Sequence, residues 1–69
     1  MGKLAELRKE NNFTYQYMAD QLNISKPFYW QLEHEQRRLS YDMAYKIAKI
    51  FDLKPDDIFY EEFKKKTIQ

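Results

Sequence analysis

The sequence predicts an all-α fold, a compact bundle of five short helices, on three observations. Apolar residues recur at spacings of three and four, the repeat that aligns side chains on one helix face. One glycine and two prolines are all that interrupt 69 residues, and β-branched residues are few. Good helix-starting residues stand before successive apolar stretches: Thr14, Ser25 with Pro27, Ser40 and Pro55.

The first helix is expected from about Lys3 to Asn11, with Leu4, Leu7, Arg8 and Asn11 on one face. Arg8 on that stripe is unusual, because a charge near a core needs an acidic partner. Thr14 caps the second helix, Phe13 packs back on Met18, and Met18, Ala19 and Leu22 face inward. Asn23 ends it, since asparagine tolerates the left-handed conformation of a tight turn, and Ile24 plugs that turn. Ser25 caps the third helix. Its inward face holds Phe28, Tyr29 and Leu32, and its outward face holds Lys26, Pro27, Trp30, Gln31 and His34.

His34 to Leu39 reads as a polar loop with paired arginines. Ser40 caps a fourth helix reaching about Phe51, with Met43, Ala44, Ile47 and Phe51 inward and Tyr41 and Tyr45 on a flank. Asp52 ends it and Leu53 returns to the core. Pro55 opens a fifth helix with Ile58, Phe59 and Phe63 as its apolar face. Asp56 and Asp57 suit its start, and Lys64 to Lys66 its end, through the helix dipole. Residues 67–69 are expected to fray.

A chain this short buries only about 60% of the surface it exposes unfolded, so residues 1–69 are expected to form one domain without an enclosed active site. There is no cysteine and one histidine, His34, so no metal site or other cofactor is expected. The apolar core must suffice, and 43% apolar residues are enough for it. No apolar run approaches the roughly 18 residues of a membrane span, and the first residues lack a signal-peptide core. Met1-Gly2 is similar to a myristoylation start, but Glu6 stands where serine or threonine is required. A cytoplasmic location is expected. The net charge is +1, yet residues 36–69 carry eight of the twelve basic side chains, so any attraction for phosphate must come from local patches.

Phe13 to Glu33 thus reads as two short helices joined by a tight turn. Its spacing resembles the helix-turn-helix of the Cro/repressor, or Xre-type, regulators, and the resemblance runs without gaps from about Leu4 to Phe59. Thr14, Ala19, Leu22, Ile24-Ser25 and Gln31-Leu32-Glu33 match that pattern, as do Ala44, Ile47 and Ala48, then Leu53, Asp56 and Phe59. Tyr15 stands where glutamine is usual, with Gln16 beside it, and Asn23 replaces the turn glycine. The resemblance implies a lambda-repressor-like fold and sequence-specific binding of double-stranded DNA by a transcriptional regulator, a repressor acting by occupancy. It also implies a structural ion pair between Arg8 and Glu33, the partner that Arg8 needs on physical grounds.

The resemblance places base contacts at Lys26, Pro27, Gln31 and Trp30. Lysine can donate to guanine O6 and N7, and glutamine can bridge adenine N6 and N7. Proline offers only apolar contact, and tryptophan adds one indole donor. Phosphate contacts are expected from Tyr15, Gln16 and Ser25 near the helix starts, and from His34, Arg37 and Arg38 after the third helix. One recognition helix reads few base pairs, so a weak homodimer on a two-fold operator is expected, with Tyr41, Tyr45, Tyr60 and Phe63 as its candidate surface. A second reading keeps the fold but gives the outer face to a protein partner, as in an antirepressor or antitoxin-type component. The near-neutral charge, Trp30 and the many tyrosines favour it. No catalytic constellation is visible, and the pairs Asp56-Asp57 and Glu61-Glu62 read as solvated charge, so no enzyme is expected.

Overall fold

The computed structural model describes residues 1–67, with side chains as far as Lys64. Five helices follow in order: α1 (Gly2–Glu10), α2 (Tyr15–Leu22), α3 (Lys26–Glu33), α4 (Tyr41–Ile50) and α5 (Pro55–Thr67). There is no strand among the described residues. The all-α expectation holds, and helix boundaries agree with the sequence reading to within a residue or so. The frayed tail expected at 67–69 lies, beyond Thr67, outside the described residues. Lys65 and Lys66, expected to favour the end of α5, have side chains outside the described set.

Three helices start on the same device. The hydroxyl oxygens of Thr14, Ser25 and Ser40 accept hydrogen bonds from the backbone N–H groups of Tyr17, Phe28 and Met43, satisfying donors that a helix start leaves unpaired. Pro27 sits in the first turn of α3, where its missing N–H costs nothing.

Four helices also end alike. Asn12, Asn23, Glu35 and Asp52 follow α1 to α4 and all adopt the left-handed backbone conformation, with φ between 58° and 59°. At each exit the next N–H reaches back five residues: Phe13 to Arg8, Ile24 to Ala19, Gln36 to Gln31 and Leu53 to Ala48. This is the Schellman closure, made here without glycine. Phe13, Ile24 and Leu53 then pack against the core, while Gln36 is exposed.

The core joins Leu4 with Met18, Ala19 and Leu22, then Tyr29 and Leu32, Leu39, Ala44, Ile47 and Ala48, and finally Ile58 and Phe59. α2 packs on α3 and α4, and α5 packs on α1 and α4. Small Ala19, Ala44 and Ala48, all fully buried, let helices approach closely there.

Several expectations need correction. Asn11 is exposed rather than on the core face; its side-chain amide donates to the Leu7 carbonyl at 2.8 Å, closing the end of α1. Phe13 packs against the core that holds Met18 and adds ring contacts that were not expected, Tyr17 stacked at 4.3 Å and Phe51 at 5.9 Å. Leu39, read as part of a polar loop, is buried and anchors the approach to α4. α5 is kinked at Phe59, where φ is −113° and ψ 17°, a break that its apolar spacing did not announce.

Candidate nucleic-acid interface

The site is built on α3, whose two sides differ in kind. On the inner side Arg8 and Glu33 make the expected pair. Arg8 Nε donates to Glu33 Oε2 at 2.8 Å and Arg8 Nη2 donates to Glu33 Oε1 at 3.0 Å, a two-point contact that only a guanidinium can make. Arg8 Nη1 donates to the Phe13 carbonyl at 3.1 Å. The Tyr29 hydroxyl donates to Glu33 Oε2 at 2.7 Å. The guanidinium also lies over the Tyr15 ring, 4.2 Å from its centroid. Glu33 and Arg8 are only 4% and 7% exposed, so this network ties α1, the α1–α2 turn and α3 together inside the protein.

The charges respond accordingly. The Arg8 guanidinium is pushed above its ordinary value, chiefly by its hydrogen bonds to Glu33. Burial works to raise the Glu33 carboxyl, but hydrogen bonds from Arg8 and Tyr29 and the Arg8 charge outweigh it and hold the group below the usual carboxylate range. Burial, then the hydrogen bond to Glu33, push the Tyr29 phenol upward. No buried side-chain polar atom among the described residues lacks a partner.

The outer side is open. Lys26, Pro27, Trp30 and Gln31 together line one shallow, mainly apolar depression. Lys26, Pro27 and Trp30 are exposed and Gln31 is half-buried. The four residues expected to read bases therefore share one surface. Beside them the Trp30 ring stacks on the His34 imidazole at 3.9 Å, and His34 Nδ1 lies 2.8 Å from the Trp30 carbonyl. The tryptophan is held by its own helix end. Arg37 and Arg38 follow as exposed residues.

The residues expected to contact phosphate are distributed unevenly. Ser25 is exposed, and its oxygen already accepts the capping bond. Gln16 is exposed, but its amide donates to Asp20 at 2.9 Å, a carboxylate that the sequence reading did not weigh. Tyr15 is half-buried, its ring set between Arg8, Tyr29 and His34, so it has a packing role that the sequence did not assign. Glu35, an acidic neighbour of this rim, is paired with the Met1 amino group at 3.1 Å.

Two contacts here escaped the sequence reading. Tyr29 and Glu33 stand four residues apart on one helix, a spacing that allowed their bond to be expected. Arg37 folds back: its Nε donates to Gln31 Oε1 at 3.1 Å and its guanidinium covers the Phe28 ring at 4.2 Å. No local spacing signals that contact.

A helix pair with a capped, outward-facing second helix defines the helix-turn-helix class. The family model described as "Helix-turn-helix domain" matches residues 2–62, and the chain belongs to that family, in keeping with its Cro/repressor-type pattern. It is similar to the HTH-type transcriptional regulator AnsR of Bacillus subtilis (strain 168), with 37% identity over 67 residues. That match covers 97% of this chain and 58% of the relative. No solved structure matches the chain to a significant degree. No helix among the described residues is long and apolar enough to cross a membrane.

Proposed function

We propose that residues 1–69 form one sequence-specific DNA-binding domain of a transcriptional regulator, a repressor that acts by occupying its operator. The observation that carries this reading is the outer face of α3, where Lys26, Pro27, Trp30 and Gln31 form one surface on a helix that a buried ion pair holds in place. The face fits the major groove, with Lys26 and Gln31 reading base edges and Pro27 and Trp30 making apolar contact. Arg37, Arg38 and His34 flank it and take phosphate, with Ser25 and Gln16 on the other side. The domain works as a weak homodimer that tightens on a two-fold site, its half-sites about one helical turn apart. Tyr41, Tyr45 and Tyr60 are exposed and Phe63 lies 5.7 Å from Tyr41, an aromatic surface suited to that contact.

Selection of bound sites from a random duplex library tests the reading. The expected result is an enriched two-fold motif whose binding weakens steeply with salt. Absence of any enriched motif sinks it. A second reading rests on one observation: Trp30 is 40% exposed beside Pro27 on a mainly apolar outer face, a pattern common in protein interfaces. Salt-insensitive binding to a protein with no affinity for duplex DNA would favour that reading.

A further inference from the structure

The loop after α3 returns to the helix at one residue. The Gln36 N–H donates to the Gln31 carbonyl at 2.8 Å, and the next residue, Arg37, donates from Nε to the Gln31 side-chain oxygen at 3.1 Å. Arg37 is itself held by packing, its Cζ 4.2 Å from the Phe28 ring centroid. A guanidinium has donors and no acceptor, so the atom of Gln31 facing it must be Oε1 and never Nε2. The amide cannot rotate end for end without losing that bond. The end turned away from Arg37 is therefore Nε2, which carries two donors, while Oε1 keeps only one of its two lone pairs. A glutamine left free could instead bridge adenine, donating to N7 while accepting from N6.

We propose that Arg37 is a positioning residue for base readout: it holds the Gln31 amide with its donor end outward, so that a base edge presenting acceptors, guanine O6 and N7, is preferred there over adenine. This inference rests on the DNA-binding reading above. It assigns Arg37 a share in specificity beyond neutralising a phosphate, and it gives Phe28 the task of holding Arg37.

Site selection and titration on the selected and a scrambled duplex test it, using the full chain with Gln31→Ala, Arg37→Ala, Arg37→Lys and the Gln31→Ala/Arg37→Ala double variant. The base position that Gln31→Ala relaxes identifies the partner of Gln31. Wild type should prefer guanine there, and both Arg37 variants should reduce that preference by roughly tenfold, admitting adenine. Lysine keeps the charge but has neither the Nε donor nor the flat face. It should recover affinity for the scrambled duplex relative to Arg37→Ala without recovering the preference. The double variant should discriminate no worse than Gln31→Ala alone, because both changes remove one unit. Arg37 variants that keep the wild-type preference, additive losses in the double variant, or adenine selected by wild type would each overturn the proposal while leaving DNA binding intact. Wild type that selects no site at all overturns the DNA-binding reading itself, and this inference with it.

Discussion

The inner and outer sides of α3 are eight residues of one helix, yet they obey opposite rules. On the inner side every buried side-chain polar atom is spoken for: the Glu33 carboxylate alone receives three hydrogen bonds, from Arg8 twice and from Tyr29. On the outer side Lys26, Pro27 and Trp30 are left to solvent. The contrast teaches where orientation comes from. A helix this short is unstable alone and gains its pose from packing, so the buried ion pair acts as an alignment key for a surface that must stay uncommitted. Buried pairs are weak evidence for net stability, because desolvating two charges offsets their attraction. In this protein the pair ties α3 to α1 by a two-point contact.

The comparison breaks if the two sides respond alike to mutation. The largest effect is expected from Glu33→Ala, which leaves Arg8 buried without its acid and should lower unfolding free energy by about 3–5 kcal/mol in urea titrations. A loss under about 1 kcal/mol would mean that the inner network does not set the pose. Tyr29→Phe removes one hydrogen bond to a charged acceptor while keeping the ring, and should cost about 1.5–3 kcal/mol in the same measurement. On the outer side, Lys26→Ala should leave stability within about 0.5 kcal/mol. Its cost should fall on binding, about 1–3 kcal/mol on the preferred duplex with relaxed choice at one base. Unfolding and binding measured on the same sample separate the two sides.

Smaller effects sharpen the picture. The Glu33 carboxyl is held below its ordinary range, so the folded state binds its proton less readily than the unfolded state does. Its contribution to stability is present above the unfolded value, about 4.3. It is lost as pH falls through the lower, folded value. Urea midpoints followed down through that window should drop, and Glu33→Gln should flatten this part of the profile. Smallest of all, Arg38→Ala should weaken binding to every sequence about equally and reduce the salt slope by roughly one unit. A sequence-dependent loss would move Arg38 from anchoring to readout.

The Arg8–Glu33 pair and the helix caps were legible in the sequence and the outer rim was not, for a physical reason. Thr14, Ser25 and Ser40 act through bonds to residues three positions on, so local order suffices to place them. Arg8 announced a missing acid, because a lone charge on an apolar stripe is too costly to leave. The fold-back of Arg37 onto Gln31 depends instead on the left-handed turn at Glu35, and glutamate has no preference for that conformation. The bond between Gln16 and Asp20 lies at helical spacing, where an exposed amide can meet either a carboxylate or a phosphate. The kink at Phe59 likewise leaves no mark in the apolar spacing of α5.

The four glycine-free helix exits bear on the unfolded chain as well as the folded one. A side chain in the left-handed region costs on the order of 1 kcal/mol, so Asn12, Asn23, Glu35 and Asp52 each tax the native state. Glycine at the same places would enlarge the denatured ensemble, which costs roughly 0.4–1 kcal/mol for each such residue. The denatured-state effect offsets only part of the strain. The exits thus cost some folding free energy and are decisive for chain direction, and the entropy that glycine would have added is absent before folding begins.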